Sequence, residues 1–413
     1  MDFDGLKIPL SLSYHASGIK VSQESSWVGL GWSLTSNAII TRSINQVSDI
    51  GSRKRVSANR IGDYGYAFEQ EIPDTYNSAY EEYLESHFGV LNIDTQPDIF
   101  VANLFGRTVK FILTQKDSDP SPIPSERRIK VQLLDEGNEK IWYNDYSKNF
   151  TLTDDRGFTY YFDKKEYSTN VFREKPDELF YDEYCDGCLQ FSFERDVHII
   201  TAWYVTKIIS PHGKTLDFNY YLDGEENSYF ISISQPTHNQ TRTDTQCFVG
   251  QNDGSAKFES LNSPIQTVQE IVYLKDITDL SNGNRIVFKL SDREDLIDSE
   301  TWNGGPGATC KLPGSVYSCI STGTKSPKKL SEIQIINSRG KIKKRVNFNY
   351  NYFNSDKIND VRKQSYLRLK LDGINVDDQE YKFVYNQPNS LPKKTSKDVD
   401  FFGFYNGANN QFI

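Results

Sequence analysis

Residues 8 to 42 read IPLSLSYHASGIKVSQESSWVGLGWSLTSNAIITR, and the order of side chains in this stretch decides the fold. Its first part, LSLSY at residues 10 to 14, alternates apolar with polar residues, which directs one set to each face of a β-strand. The same alternation returns in VNFNY at residues 346 to 350. Amphipathic helical patterns are almost absent, and the one candidate helix covers residues 77 to 88. These patterns predict an all-β protein with few short helices.

Two tryptophans and two glycines lie close together in SWVGLGWSL, at residues 26 to 34. Gly29 and Gly31 carry no Cβ, so the backbone there can approach a neighbouring strand closely. Trp27 and Trp32 can bury a large area where little other core is available. We therefore expect the tryptophans to form a structural plug. A ring platform that binds a ligand is the alternative.

The composition also favours strands. Of the 413 residues, 37% are hydrophobic and 13% aromatic, with 25 Tyr and 25 Phe against one Met. Tyr and Phe suit half-buried sheet faces, where a ring packs and a hydroxyl still reaches water. The aromatic side chains therefore take the place of the aliphatic core of an average globular protein.

An internal repeat of irregular length follows the chain. Each unit is an apolar strand, a Gly- or Asp-centred turn, and a strand that ends in two large residues at i and i+2. The turns centre on Gly157, Gly213, Gly283, Gly340 and Asp378. Each hairpin presents an apolar ridge that it cannot bury alone, which predicts antiparallel hairpins stacked into an extended or curved sheet. Chance matches in a Tyr-rich antiparallel protein are the alternative.

The chain divides into two regions in this interpretation. Residues 1 to 113 form an N-terminal β region that contains SWVGLGWSL at residues 26 to 34, here named the Trp-Gly block. Residues 114 to 413 form successive hairpins, with loop insertions at 222 to 262 and 297 to 327 that are rich in Gly, Asn, Asp and Ser.

The charge balance argues against two classes of partner. The formal net charge of −9 opposes binding to nucleic acid, because that affinity comes mainly from neutralised phosphates. No apolar run reaches the length of about 18 residues that a membrane span requires. The first residues also lack the basic and apolar regions of a signal peptide. We therefore expect no nucleic acid partner and no membrane insertion.

Sequence signatures of catalysis are incomplete. The CDGC motif at residues 185 to 188 has no second ligand pair for zinc, and no serine lies in a nucleophile elbow. The carboxylate pairs at 154 to 155 and 225 to 226 fall at turns, where neighbouring side chains diverge. The run NGGPG at 303 to 307 lacks the strand and helix of a phosphate loop. We expect no enzyme activity, no metal and no cofactor.

Two further features have alternatives that stay open. Cys310 and Cys319 flank a turn-forming stretch and could form a disulfide in an oxidising compartment. The basic residues from Arg339 to Arg345 lie at a turn and the start of its strand, where Lys341, Lys343 and Arg345 would share one face. Such a cluster indicates a charged edge that opposes aggregation, or a binding patch.

Segments in the first, middle and last parts of this sequence resemble one known family. YHASG at residues 14 to 18, SWVGLGWSL at 26 to 34 and ITR at 40 to 42 resemble the opening of bacterial RHS/YD-repeat proteins, as found in Bacteroidota. They are also similar to the SpvB-like part of toxin-complex B components. WYVTKI at 203 to 208, before a Pro-His-Gly turn, resembles the family strand that leads into such a turn. DFFGFYNG at 400 to 407 resembles the family segment DxWGYYNG, with Phe402 and Phe404 in place of the usual Trp and Tyr.

The resemblance implies a structural role. Family members wrap a β-sheet shell around a C-terminal toxin or effector, so Tyr14, Gly403, Tyr405 and Gly407 are expected to be structural, as are the residues of the Trp-Gly block. The implied partners are the remaining YD-repeat shell and the C-terminal effector of the same polypeptide, with secretion machinery as a further candidate. Further repeats are expected beyond Ile413. The implied location is secreted or on the cell surface.

A binding module is the alternative function. An all-β surface domain could recognise carbohydrate or a host protein through exposed aromatic and Asn side chains, because aromatic residues anchor many interfaces.

We expect the purified protein to show no turnover of glycan, peptide or ester substrates above the buffer rate, because the sequence places no complete catalytic group together. Substituting single exposed Asp, Glu or His residues should leave any activity of the whole protein intact. Reproducible turnover that one acidic or His substitution abolishes would contradict this expectation.

Overall fold

The structure of the chain is a computed structural model. It describes residues 1–45, 48–50, 97–114, 128–144, 146–171, 199–221, 228–234, 265–296, 327–360, 363–386, 391–394, 396 and 398–408. The candidate helix at 77 to 88, the CDGC motif, and Cys310 with Cys319 lie outside the described residues. These three expectations stay predictions.

The described residues form 21 β-strands and two three-residue 3-10 turns, at Ser355–Lys357 and Lys363–Ser365. The strands are β1 Asp2–Phe3, β2 Leu6–Lys7, β3 Ser11–Tyr14, β4 Trp32–Thr35, β5 Ile39–Ser43, β6 Ile99–Leu104, β7 Arg107–Leu113, β8 Arg128–Leu133, β9 Lys140–Asn144, β10 Asn149–Thr153, β11 Thr159–Val171, β12 Ile199–Ile209, β13 Thr215–Tyr220, β14 Ser228–Ser234, β15 Ile265–Ile271, β16 Leu274–Asp279, β17 Arg285–Asp292, β18 Lys328–Ile336, β19 Ile342–Phe353, β20 Arg368–Val376 and β21 Gln379–Lys382. The prediction of an all-β fold is confirmed.

Most strands belong to one curved antiparallel sheet. Successive strands from β5 to β12 pair with their neighbours, and β12 pairs back with β5 through Ala202 and Thr41. Residues 207 to 209 of β12 also pair with β13, from which β16 to β21 continue in pairing order. The sheet is therefore a circuit of strands with a long arm that branches from β12.

Three pairs of strands stand beside this main path, and the shortest is β1 with β2. β3 pairs with β4, from Ser11 opposite Thr35 to Tyr14 opposite Trp32. β14 pairs with β15, which joins the circuit through β11. Residues 228 to 234, expected within a loop insertion, thus form a strand. Their sequence SYFISIS itself contains a short alternation that is typical of strands. The division of the chain at residue 113 stays a prediction.

Aromatic side chains fill the core of the circuit. Phe100 of β6, Phe111 of β7, Phe150 of β10 and Trp203 of β12 are all fully buried. The ring centroids of Phe150 and Trp203 lie 5.0 Å apart, and those of Phe100 and Phe111 lie 5.4 Å apart. The indole N–H of Trp203 donates to the carbonyl of Lys148 at 2.7 Å. Burial of large rings with a satisfied donor is the main favourable term here.

One turn design joins the two strands of three hairpins and recurs in the C-terminal segment. It consists of an Asp, Ser or Asn, two variable residues and a glycine, at residues 154–157, 210–213, 337–340 and 400–403. The glycine N–H donates to the carbonyl of the first residue at 2.9 to 3.0 Å. The side chain of the first residue accepts from backbone N–H groups two and four residues on. The glycine φ lies between 74° and 87°, a region that favours glycine.

These turns explain the repeat that the sequence predicts. The centres expected at Gly157, Gly213, Gly283 and Gly340 have positive φ, so those predictions are confirmed. Asp378 also lies in a turn, the two-residue turn between Val376 and Gln379, in which the positive φ of 52° belongs to Asp377. An Asp tolerates this conformation better than most residues since its side chain bonds the local backbone.

No helix of the described residues is long and apolar enough to span a membrane.

Candidate functional site

The Trp-Gly block lies against two strands of the arm. The carbonyl of Trp27 accepts from the N–H of Leu330 in β18 at 2.9 Å. The N–H of Leu30 donates to the carbonyl of Leu369 in β20 at 2.8 Å. A segment from the beginning of the chain therefore extends the hydrogen bonding of strands that lie about 300 residues later.

The two glycines allow the close approach that the sequence predicts. Gly29 has φ of 116°, and a Cβ there would lie 3.3 Å from both the Cβ and the backbone N of Leu371. Gly31 has φ of 75°, and its Cβ would lie 2.8 Å from Cε2 of Tyr14. The hydroxyl of Ser26 lies 2.7 Å from the carbonyl of Trp32 and closes the turn. A side chain at Gly29 would push the block away from β20, and one at Gly31 would push it away from β3.

Trp32 packs within a cluster of aromatic rings at the outer end of the block. Its ring centroid lies 4.5 Å from Phe383 and 5.0 Å from Tyr14. Its indole N–H donates to the hydroxyl of Tyr385 at 2.8 Å, and that hydroxyl donates to the carbonyl of Leu371 at 2.6 Å. Burial raises the pKa of Tyr385 to about 12. The hydroxyl therefore keeps its proton and goes on donating to the carbonyl of Leu371.

The two tryptophans are partly buried and pack against the core, and their role as a structural plug stays a prediction. Trp27 packs 6.0 Å from Tyr273 and 6.2 Å from Phe288, measured between ring centroids, and stays partly exposed. Trp32 belongs to the two-stranded β3–β4 hairpin. That hairpin pairs with no further strand among the described residues, and Trp32 within it is only partly buried.

A fully buried ion pair holds the inner end of the block. The guanidinium of Arg293 meets the carboxylate of Asp295 at two points, with Nε–Oδ1 and Nη2–Oδ2 both 2.8 Å. The same guanidinium donates to the carbonyls of Ser26 at 2.9 Å and Ser25 at 3.2 Å. Asp295 Oδ2 in turn accepts from the N–H of Leu369 at 2.8 Å. This pair therefore joins the N-terminal block to the first residues of β20.

Electrostatics at this pair favour the charged forms. Burial alone would raise the pKa of Asp295, but the charge and hydrogen bonds of Arg293 outweigh it and hold that pKa below its usual range. The pKa of Arg293 is raised, because Asp295 outweighs the burial of the guanidinium. A fork of two parallel hydrogen bonds is the strongest geometry for such a pair.

Three more charged side chains complete the buried cluster. Lys394 donates to Glu24 Oε2 at 2.5 Å and to the carbonyl of Asp295 at 2.7 Å. Burial raises the pKa of Glu24 although Lys394 opposes the shift. Arg368 donates to the carbonyls of Val21 at 2.6 Å and Pro392 at 2.9 Å, and burial lowers its pKa to about 10. Sequence reasoning missed this cluster, because its members come from four distant parts of the chain.

The C-terminal family-like segment meets the N-terminal one. The N–H of Val21 donates to the carbonyl of Gly403 at 3.0 Å, and Lys20 forms an isolated bridge with Phe404. Asp400 and Gly403 are the ends of the recurring turn. Gly407 has φ of 67°. Tyr405 forms a bridge with Val399 but is 52% exposed, so its contribution to the core is small.

Several ionisable side chains that could take part in chemistry, where the structure describes them, bond other groups of the protein. No group of three His, Cys, Asp or Glu side chains lies close enough to hold a metal ion within the described ranges. Ser17 Oγ lies 2.8 Å from Nε2 of His15, but the pair is exposed and no carboxylate of the described residues bonds His15. Asp154 holds its own turn, and Asp155 pairs with Arg107. These polar groups hold the backbone in place.

One shallow cleft lies beside the C-terminal segment. Its volume is about 370 Å³, and it is lined by Asn354, Asp356, Lys357, Tyr366, Leu391, Pro392, Lys393 and Tyr405. Asn354 is committed to the backbone, since its amide donates to the carbonyls of Tyr366 at 3.2 Å and Leu391 at 2.8 Å. The lining has no serine, cysteine or histidine nucleophile.

No family model and no curated relative matches this chain. Among solved structures, the N-terminal domain of the effector protein SpvB from Salmonella typhimurium strain LT2 is similar over 92% of this chain and 96% of that chain, at 12% identity and a TM-score of 0.40. A TcdB2-TccC3-Cdc42 structure is similar over 90% of this chain and 14% of that chain, at 9% identity and a TM-score of 0.39. The Photorhabdus luminescens Tc holotoxin pore is similar over 85% and 13%, at 8% identity and a TM-score of 0.36.

These structural neighbours are an effector domain and toxin-complex components. This chain spans nearly all of the SpvB domain but only about 14% of the TcdB2-TccC3 chain. At such TM-scores and identities, the likeness carries no argument about function.

Replacing Trp32 with Ala should lower the free energy of unfolding by about 2 to 3 kcal/mol, below the roughly 3 to 5 kcal/mol of a fully buried ring. Urea denaturation measures this loss. Trp32→Phe should recover the packing but not the hydrogen bond to Tyr385. Its free energy of unfolding should therefore lie between that of Trp32→Ala and that of the parent protein. Tyr146→Ala is the control, because Tyr146 is 69% exposed. A Trp32→Ala loss no larger than the control would place the ring outside the fold.

Replacing Gly29 with Ala should cost more stability than Gly5→Ala. Both glycines have positive φ, 116° and 89°, so both variants carry backbone strain of about 1 to 3 kcal/mol. Only Gly29 has a neighbour within 4 Å of an added Cβ, whereas Gly5 has nothing there. Thermal melting of the two variants isolates the contact with Leu371. Equal losses would show that the close approach to β20 contributes nothing.

Proposed function

We propose that this chain is a structural segment of a secreted or cell-surface RHS/YD-repeat protein of bacterial, Bacteroidota-like type. In this role it forms part of a β-shell that encloses or presents a C-terminal toxin or effector. Its partners would be the remaining shell and the effector of the same polypeptide, with secretion machinery as a further candidate.

The meeting of the two family-like segments carries the proposal. The sequence resemblance was found separately in residues 14 to 42 and in residues 400 to 407. Val21 and Gly403 are hydrogen bonded to each other, and Gly18 lies where a Cβ would be 3.0 Å from the ring of Phe404. Residues that match one family at distant positions therefore belong to one packed junction.

The chemistry of that junction supports a structural role. Its ionisable groups are buried, and each bonds either an opposite charge or a backbone carbonyl. Breaking a buried pair by removing one partner is strongly destabilising, which ties such groups to the fold. We therefore propose that the chain has no catalytic role and needs no metal or cofactor.

A surface binding module is the second candidate function, and one observation favours it. Phe401 and Phe402 are 70% and 69% exposed on the turn that follows Asp400. Exposed aromatic side chains often anchor a protein or carbohydrate partner. This candidate predicts that the isolated chain binds a ligand through that turn.

The shell proposal is tested on the whole gene product. The gene should continue with further YD-type hairpins and then an unrelated C-terminal domain. In the whole protein that domain should resist trypsin, whereas the same domain expressed alone should be cut quickly. Equal cleavage rates for the enclosed and the isolated domain would contradict the proposal.

Two glycine variants serve as matched probes in the same assay. Gly29→Ala disturbs the contact with β20 and should speed cleavage of the C-terminal domain. Gly5→Ala carries similar backbone strain without a neighbour and should leave the cleavage rate near that of the parent protein.

A further inference from the structure

The hairpin that joins β18 to β19 is unusually basic for this chain. Residues 339 to 345 read RGKIKKR, which places five cations within seven positions of a protein whose net charge is −9. All seven of these residues are exposed. The local charge is thus opposite in sign to that of the whole chain.

The backbone holds this basic segment in a defined shape. The side chain of Asn337 accepts from the N–H groups of Arg339 at 3.1 Å and Lys341 at 2.9 Å. β18 pairs with β19 up to Ile336 opposite Ile342, with a register shift between that pair and Ile335 opposite Lys344. The shift leaves Lys343 as an extra residue. The simple alternation that would place Lys341, Lys343 and Arg345 on one face is therefore interrupted.

Most of the cations have no acidic partner. Arg345 pairs with Glu332 at 2.7 Å, and Glu332 also lies 3.3 Å from Lys289. For Arg339, Lys341, Lys343 and Lys344, no carboxylate of the described residues lies within 4.0 Å. These four like charges lie close together in the sequence and repel each other, so they add no stability to the segment.

Protection of a strand edge accounts for only part of this charge. The pairing of β20 with β19 begins at Val346, so residues 342 to 345 have one edge without a strand partner among the described residues. Charged side chains, lysine above all, keep such an edge from pairing with another chain. Arg339 and Lys341 lie before the strand begins, and their exposed charge matches that of an anionic ligand.

The chemistry of the segment points to a linear polyanion. It contains no aromatic ring on which a nucleic acid base could stack, and such stacking contributes much of single-strand binding. Its one large apolar side chain, Ile342, is 37% exposed and stands alone among cations, and so offers a protein partner no aromatic or clustered anchor. Basic runs of five to eight residues occur in sites for nucleic acids and for heparin-like sulfated glycans, and the missing aromatic ring argues against the former. We infer that the β18–β19 hairpin binds a sulfated glycan through Arg339, Lys341, Lys343 and Lys344.

This inference is independent of the shell proposal, because the hairpin lies outside the Trp-Gly junction. Binding to immobilised heparin at about 150 mM NaCl tests it, since exposed charges are only partly screened there. A quadruple variant changes Arg339, Lys341, Lys343 and Lys344 to Gln. Its affinity for heparin should fall by about tenfold or more, and the salt dependence of binding should become shallower.

A matched control removes the same number of charges elsewhere. Lys7, Lys110, Lys140 and Lys207 are exposed, lie on four different strands, and form no ion pair within the described structure. Changing these four to Gln gives the same net charge as the hairpin variant. The control should bind heparin within about twofold of the parent, because charge outside the patch acts mainly over screened distances.

The outcomes separate the sources of negative charge. Heparin should bind more tightly than desulfated heparin, poly-glutamate or phosphatidylserine vesicles. Equal binding of poly-glutamate or the vesicles would overturn the assignment to a sulfated glycan. So would equal losses in the two quadruple variants, or no binding by the parent. The single variant Lys343→Glu, which also weakens heparin binding if the inference holds, covers the case in which the quadruple variant melts early.

Discussion

Arg293 and Asp295 form a fully buried two-point ion pair, and the attachment of the Trp-Gly block to β20 depends on it. Two of the Arg293 N–H groups face Asp295, and others hold the carbonyls of Ser25 and Ser26. Asp295 holds the beginning of β20 in place, because its carboxylate accepts a hydrogen bond from the N–H of Leu369. The desolvation of both ions is offset only by this complete set of hydrogen bonds.

The branched sheet creates the place that this pair occupies. β19 pairs with residues 332 to 336 of β18 over its first part and with β20 over its later part. Leu330 lies before the part of β18 that pairs with β19, and its N–H bonds the block, as does the carbonyl of Leu369 in β20. The Trp-Gly block bonds to both, and Gly29 makes the approach to Leu371 close enough. Backbone groups that would be left unpaired are satisfied by a segment from the other end of the chain.

The distribution of charge separates two kinds of role within one fold. Charged groups at the junction are buried and paired, and they act on the backbone. Charged groups of the β18–β19 hairpin are exposed and mostly lack partners among the described residues, which is the arrangement of a surface that meets something else. The buried charges thus act within the fold, whereas the exposed basic hairpin is available to an anionic partner.

The sequence by itself determined the all-β class and most turn centres, because alternation and turn chemistry act between residues a few positions apart. It also indicated that Gly29 and Gly31 allow close contact. It missed that the first residue of each turn is Asp, Ser or Asn, although the spacing to the glycine was visible in the sequence. Only the tertiary structure decided which strands meet, how far Trp32 is buried, and that Arg368 reaches the carbonyl of Val21 across 347 positions. Such contacts depend on the order and register of strands, which local patterns do not specify.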